Sequence, residues 1–121
     1  MDARFLQTLQ ESHLSVWNER DRTKRDELIK TIYAEDIKMC DKDFIFHGIK
    51  EISDFIDKLH TQDPQFHFSP ARDMEASQNG IRLFWNIRTG QEPGLMTGMD
   101  FFLVEEGKVV LLYVFMDAKV I

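Results

Sequence analysis

The chain carries a single cysteine, Cys40, in 121 residues, which excludes an internal disulfide and any cysteine-based zinc cluster. A lone thiol suits a reducing compartment. Long apolar runs are missing too. The longest, VVLLYVFM over residues 109–116, is far short of the ~20 residues that a membrane-spanning helix needs. The opening MDARFLQTLQES has no apolar signal core, and a soluble, cytoplasmic protein is expected. Basic charge is scarce: 15 Lys and Arg stand against 21 Asp and Glu, a net charge of -6. A nucleic-acid surface needs clustered cations, and here basic and acidic residues alternate. Even Arg20, Arg22, Lys24 and Arg25 are interrupted by Asp21 and followed by Asp26 and Glu27, the pattern of a solvated connection between helices. There is no G-x-G-x-x-G, no Walker loop and no nucleophile elbow. His47, His60 and His67 fall at irregular spacing without an HxH or HExxH, and read as isolated surface histidines. No metal and no cofactor are expected.

What is present is enough apolar residue, 43%, to build one core and one domain over 1–121. Phe5, Leu9, His13, Val16 and Trp17 share one face of a first helix, opposite Asp2, Arg4, Gln7, Glu11 and Glu19. Leu28, Ile29, Ile32 and Tyr33 mark a second helix ending near residues 34–36, where Ile37, Met39 and Asp41 begin an alternating strand. A third helix opens after Gly48 with Ile49, Ile52, Phe55, Ile56 and Leu59, and stops at Asp63 and Pro64.

From Phe66 onward the period is that of strands. Asn79-Gly80 predicts a two-residue hairpin turn, which sets Met74 opposite Trp85, Ala76 opposite Leu83 and Glu75 opposite Phe84. The break TGQEPG (89–94) leads to a third long strand, and EEGK (105–108) to a fourth. A four-residue EEGK loop places Val104 opposite Val109, Phe102 opposite Leu111, Asp100 opposite Tyr113 and Gly98 opposite Phe115. Opposed residues share a sheet face, so Asp100, Phe102, Tyr113, Phe115 and Asp117 are expected to face the helices, with Leu83, Trp85 and Met74. The reverse face then shows Met99, Phe101 and Leu103 beside Leu112, Val114 and Met116. A patch of that size predicts a homodimer contact. Helices followed by an antiparallel sheet make an α+β arrangement.

This order of elements, with WNERD closing the first helix, YAED closing the second, a Gly before the third and GMDFFLVEEGKVV near the end, resembles the nuclear transport factor 2-like superfamily. Its SnoaL-like branch, named for a polyketide cyclase, is the most similar. The resemblance implies a cone-shaped fold, three N-terminal helices on a strongly curved antiparallel sheet enclosing a pocket, with dimers commonly formed through the outer sheet face. Ketosteroid isomerase belongs to the same superfamily. By resemblance, its carboxylate base, in the strand just after a YADD-like helix end, matches Asp41 in YAEDIKMCD. Its protonated, oxyanion-binding aspartic acid matches Asp100 in GMDFFLV. Its first-helix tyrosine is replaced, by ungapped counting, by His13. A histidine donates hydrogen bonds but is a different acid from a phenol, so steroid isomerase chemistry is not implied.

Asp100 lies between Met99 and two phenylalanines, where a carboxyl is partly desolvated. Its bland alternative is a pocket-lining carboxyl without chemistry. Asp41 and Asp43 each suit a turn cap; Asp41 is preferred because it continues the side of Ile37 and Met39. His13, on an apolar helical face, is either a satisfied core histidine or a functional one. Trp17, Tyr33, Trp85, Phe102, Tyr113 and Phe115 are expected to wall the pocket and contact a hydrophobic ligand. The leading expectation is a cofactor-independent acid-base enzyme of the isomerase, cyclase or dehydratase type, acting on a hydrophobic carbonyl-containing or cyclic small molecule. The alternatives are a non-catalytic ligand-binding domain and a protein-interaction module.

Overall fold

A computed structural model of the chain describes residues 2–90 and 94–117. Helix α1 (Ala3–Asn18) starts where the Asp2 carboxylate accepts the amide of Phe5 at 2.8 Å. Helix α2 (Arg22–Ile32) starts in the same way on Asp21, which accepts the Lys24 amide at 3.1 Å. Such caps satisfy amides that have no partner inside a helix. Helix α3 (Gly48–Gln62) begins at Gly48, whose φ of 86° is a conformation that glycine adopts without strain.

The strands are β1 (Tyr33–Cys40), β2 (Ile45–His47), β3 (His67–Ser77), β4 (Gly80–Arg88), β5 (Leu95–Glu105) and β6 (Lys108–Met116), in the sheet order β2-β1-β6-β5-β4-β3. The three helices pack on one face of this sheet, so the α+β expectation holds. Leu9, Val16 and Trp17 of α1, Ile29 and Ile32 of α2 and Ile52 and Ile56 of α3 share one core with Ile81, Leu83, Trp85, Phe102 and Leu112. Among the described residues no helix is long and apolar enough to cross a membrane.

Four expectations change. The sheet is mixed: β1 runs parallel to β6, while its other pairings are antiparallel. Helix α2 stops at Ile32, and Tyr33, with YAED, opens β1 instead of closing the helix. The Tyr33 amide still bonds to Ile29 O, but its backbone turns extended and pairs with Val109. Strand pairing overrides the helical spacing there.

The β3–β4 turn falls on Gln78 and Asn79, with Gln78 at φ 52°, and Gly80 already belongs to β4. Ala76 therefore faces Ile81, and Glu75 faces Arg82 instead of Phe84. Register shifts at Arg72 bring Pro70, not Met74, opposite Trp85. In the break 89–94, residues 91–93 lie outside the described residues.

The fourth change matters most for the site. The β5–β6 hairpin turns on Glu106 and Gly107, φ 51° and 78°, and Val104 faces Val109 as expected. The register then slips, so that Leu103 faces Leu111, Phe102 faces Leu112, and Asp100 faces Val114. One extra residue in β6 reverses which face each later side chain meets. Leu112 is buried inside, while Tyr113 and Phe115 move to the outer face. The outer row is thus Met99, Phe101 and Leu103 beside Leu111, Tyr113 and Phe115. Bulges of this kind bend strands, and three of the five pairings contain at least one register shift.

Candidate functional site

His13 lies on the inward stripe of α1, four residues after Leu9 and four before Trp17, and is fully buried. Asp100 lies on the inward row of β5, directly across from Leu83 of β4, and is 3% exposed. The two side chains meet: His13 Nε2 is 2.9 Å from Asp100 Oδ2. The other carboxylate oxygen accepts the Trp85 indole N–H at 2.9 Å. On the far side of the imidazole, Nδ1 is 2.6 Å from the Tyr33 hydroxyl. That hydroxyl also accepts the Trp17 indole N–H at 3.0 Å. A continuous polar chain, Trp17–Tyr33–His13–Asp100–Trp85, thus runs through an apolar core. The Phe102 ring meets the imidazole edge-on, with centroids 4.7 Å apart.

The hydrogen positions follow from the partners. Tyr33 accepts from Trp17, so its own proton goes to His13 Nδ1. Nε2–H then donates to Asp100 Oδ2, while Oδ1 accepts from Trp85. Every donor has one acceptor in this arrangement, with His13 neutral and Asp100 ionised. Protonating Asp100 would move the imidazole proton to Nδ1 and leave the Tyr33 hydroxyl proton without an acceptor among the described residues. A doubly protonated imidazole strands the same proton. A buried polar hydrogen left unpaired costs about 1–3 kcal/mol. In this arrangement Asp100 accepts two N–H bonds, one from His13 and one from Trp85. Burial raises the Tyr33 hydroxyl well above the ordinary tyrosine value, the Trp17 bond opposes this, and the Asp100 charge adds to the rise. Tyr33 remains a neutral donor.

Six of the nine expected site residues come together: His13, Asp100, Trp17, Tyr33, Trp85 and Phe102. Three do not. Asp41 sits in the turn after β1, half-buried, where its Oδ1 accepts the Asp43 amide at 2.7 Å. Tyr113 and Phe115 leave the wall because of the β6 bulge, and Phe115 is 55% exposed. The space beside Asp100 is filled by protein. Gly98 lies under the Trp85 indole, and an added Cβ would overlap that ring and the Phe115 carbonyl oxygen. Of the cluster, Tyr33 also lines a surface groove of about 680 Å³, with Arg22, Lys30, Ile49 and Lys108.

Two further buried polar groups carried a signal in the sequence. Arg25 stands four residues before Ile29 and seven before Ile32, on the same inward stripe. It is fully buried, not solvated. Its guanidinium donates to Ser53 Oγ at 3.0 Å, to Glu19 O at 2.7 Å and to Asp57. Arg20 likewise is bound, donating to Pro64 O at 2.8 Å and Phe66 O at 2.9 Å. His60 continues the stripe of Ile52 and Ile56 and is buried, not a surface histidine. Its Nε2 donates to Trp17 O at 2.8 Å, and its Nδ1 has no partner. His47 and His67 are exposed.

The comparisons with known proteins bear on this arrangement. A solved structure from Agrobacterium tumefaciens, an isomerase candidate of the SnoaL-like family, superposes with a TM-score of 0.85 at 22% identity, covering 95% of this chain and 99% of that one. A polyketide cyclase candidate from Sinorhizobium meliloti gives 0.76 at 11% identity, covering 94% and 99%. A de novo designed protein with a curved β-sheet gives 0.72 at 14% identity, covering 97% and 88%. Identities this low show a shared fold, and a shared fold alone assigns no activity. No curated protein matches the chain in sequence. The family model described as a SnoaL-like domain matches residues 11–112, a span that holds His13, Tyr33 and Asp100 and runs from within α1 into β6, so the chain belongs to the SnoaL-like family.

Proposed function

We propose that the chain binds a hydrophobic small molecule bearing a carbonyl or a ring, and moves a proton on it without a cofactor. The observation that carries this reading is the contact between His13 and Asp100, a buried base oriented by a carboxylate and joined to a neutral phenol. A substrate carbonyl that took over the Tyr33 hydrogen bond would free His13 Nδ1. A proton from the carbon beside the carbonyl would pass to Nδ1, the Tyr33 hydroxyl would hold the enolate oxygen, and Asp100 would stabilise the imidazolium formed. Return of the proton to another carbon gives isomerisation; loss of a leaving group gives dehydration. Asp41 is outside this scheme, because its carboxylate is engaged by the Asp43 amide.

The test is hydrogen-deuterium exchange at the carbon beside the carbonyl of 2-tetralone in D2O, followed by proton NMR. The reading expects acceleration by the wild-type protein and loss of most of it in His13→Gln and Asp100→Asn variants that retain their circular dichroism. Binding without turnover is the second reading. It is favoured by the closure of the network, in which each polar atom of His13 and Asp100 already has a protein partner. Saturable binding of the ketone with no acceleration would select it.

The proposal includes a homodimer through the outer sheet face. Its residues are Met99, Phe101, Leu103, Leu111, Tyr113 and Phe115. Leu112 is excluded by its burial, Val114 by its packing on the core, and Met116 by its pairing with Gly98, on the row of Asp100 and Val114.

A further inference from the structure

The groove beside Tyr33 differs in charge from the rest of this acidic chain. Four cations and two carboxylates line it: Arg22, Lys30, Lys50 and Lys108 against Asp26 and Glu35. Four other surface cavities have balanced or acidic linings. Glu75 faces Arg82 in one, and Glu11 and Asp73 stand without a cation in another. Glu19 and Glu27 outnumber Lys24 in the third, and Glu51 and Asp54 outnumber Lys58 in the fourth.

Not all four cations are available. Arg22 is held by Asp26, Asp54 and Asp57, and Lys50 by Asp54. Lys30 and Lys108 are in no ion pair among the described residues. Lys108 is nonetheless fixed, since its ammonium donates to Lys30 O at 2.5 Å at the end of α2. Two of its protons remain for another acceptor. Across the groove, α3 begins at Gly48, and the negative charge that such an end favours is already supplied by Glu51, whose carboxylate accepts the His47 amide at 2.8 Å. The apolar part of the lining is Tyr33, Ala34 and Ile49. A volume of about 680 Å³ is within the range that holds a drug-sized molecule.

We propose that this groove takes an organic anion: a carboxylate placed against Lys108 and Lys30, with an apolar body lying over Ala34 and Ile49. This names the ligand class of the site proposed above, and rests on that reading only in having the ligand approach the buried pair from the Tyr33 side.

The experiment is an amide NMR titration of the full chain with 1-naphthoate, and with 1-naphthamide as the neutral analogue of the same shape. Naphthoate is expected to shift the amides of Lys30, Tyr33, Ile49 and Lys108. It should bind about three- to tenfold more tightly than naphthamide at low ionic strength, since exposed ionic contacts are individually weak. The preference should vanish near about 1 M salt. The Lys30→Gln/Lys108→Gln variant should bind both compounds equally, and Lys30→Gln alone should fall between. Equal affinities in the wild type, shifts centred elsewhere, or an unchanged preference in the double variant would overturn the proposal. The 2-tetralone exchange separates the two claims. Naphthoate binding here without any exchange sinks the proton chemistry and leaves the groove, whereas exchange with no preference for naphthoate sinks the groove alone.

Discussion

The Trp85 indole lies over the α-carbon of Gly98, its partner across β4 and β5, so closely that a methyl group on Gly98 would overlap the ring. The same indole donates to Asp100. The smallest residue of β5 thus sets how the carboxylate two positions later is held.

Gly98→Ala is therefore expected to destabilise the fold by about 1–3 kcal/mol through overpacking. The indole and the Phe115 carbonyl cannot both give way. A urea transition followed by tryptophan fluorescence measures it, and an unchanged midpoint would mean that the ring relaxes freely.

Arg25 gives a second test. Removing a buried guanidinium that binds Ser53, Glu19 O and Asp57 should cost about 3 kcal/mol in Arg25→Ala. Arg25→Lys should recover only a small part, because one ammonium cannot reproduce a planar fork with several fixed directions. Full recovery by lysine would show that charge, and not the fork, is what matters between α2 and α3.

His13 and Asp100 were each legible as inward-facing because each obeys a local period, one on a helical stripe and the other on a strand row, and the family resemblance placed them in one site. What failed was non-local. Val110 looks like any other apolar residue in VVLL, yet the bulge there exchanges the faces of Tyr113, Phe115 and Leu112. The parallel pairing of β1 with β6 has no local signature, because a strand's own pattern does not name its neighbour. Asn79-Gly80 is a strong turn signal, but the Gly80 position under the Phe101 ring serves β4 packing, and the turn moves back to Gln78. Tyr33 was legible as an inward-facing aromatic residue. Its role as a polar link was not, since that needs α1 and β1 to be packed together.

The acid side of the stability curve should show two separate windows. Burial lowers the His60 pKa from its ordinary 6.5, against the opposing effect of the Trp17 carbonyl. Its stabilising contribution is therefore complete above about pH 6.5 and lost as pH falls from there through the lowered folded value. Protonation would also place an N–H at Nδ1, which has no partner. Asp54, bonded to Lys50 and Arg22, and Asp57, where Arg22 and Arg25 outweigh burial, lie below the ordinary 3.8. Their contribution persists above 3.8 and is lost only in more acid solution. Urea midpoints between pH 7 and 5 should fall in the wild type and fall less in His60→Gln. Equal slopes would contradict the assignment.

The outer face offers a test of association. Phe101→Glu should weaken a dimer by about tenfold or more, the equivalent of one well-packed aromatic contact, without lowering monomer stability by more than about 1 kcal/mol. Analytical ultracentrifugation reads the first and urea unfolding the second. Val114→Glu should instead damage the fold, since Val114 packs on the core.

The central claim is that the interior holds a neutral His13 between a phenol and a carboxylate, wired in one direction. Nitrogen-15 NMR of the imidazole at pH 7 tests it most directly. The account predicts a proton on Nε2 and none on Nδ1; a proton on Nδ1, alone or together with one on Nε2, would contradict it.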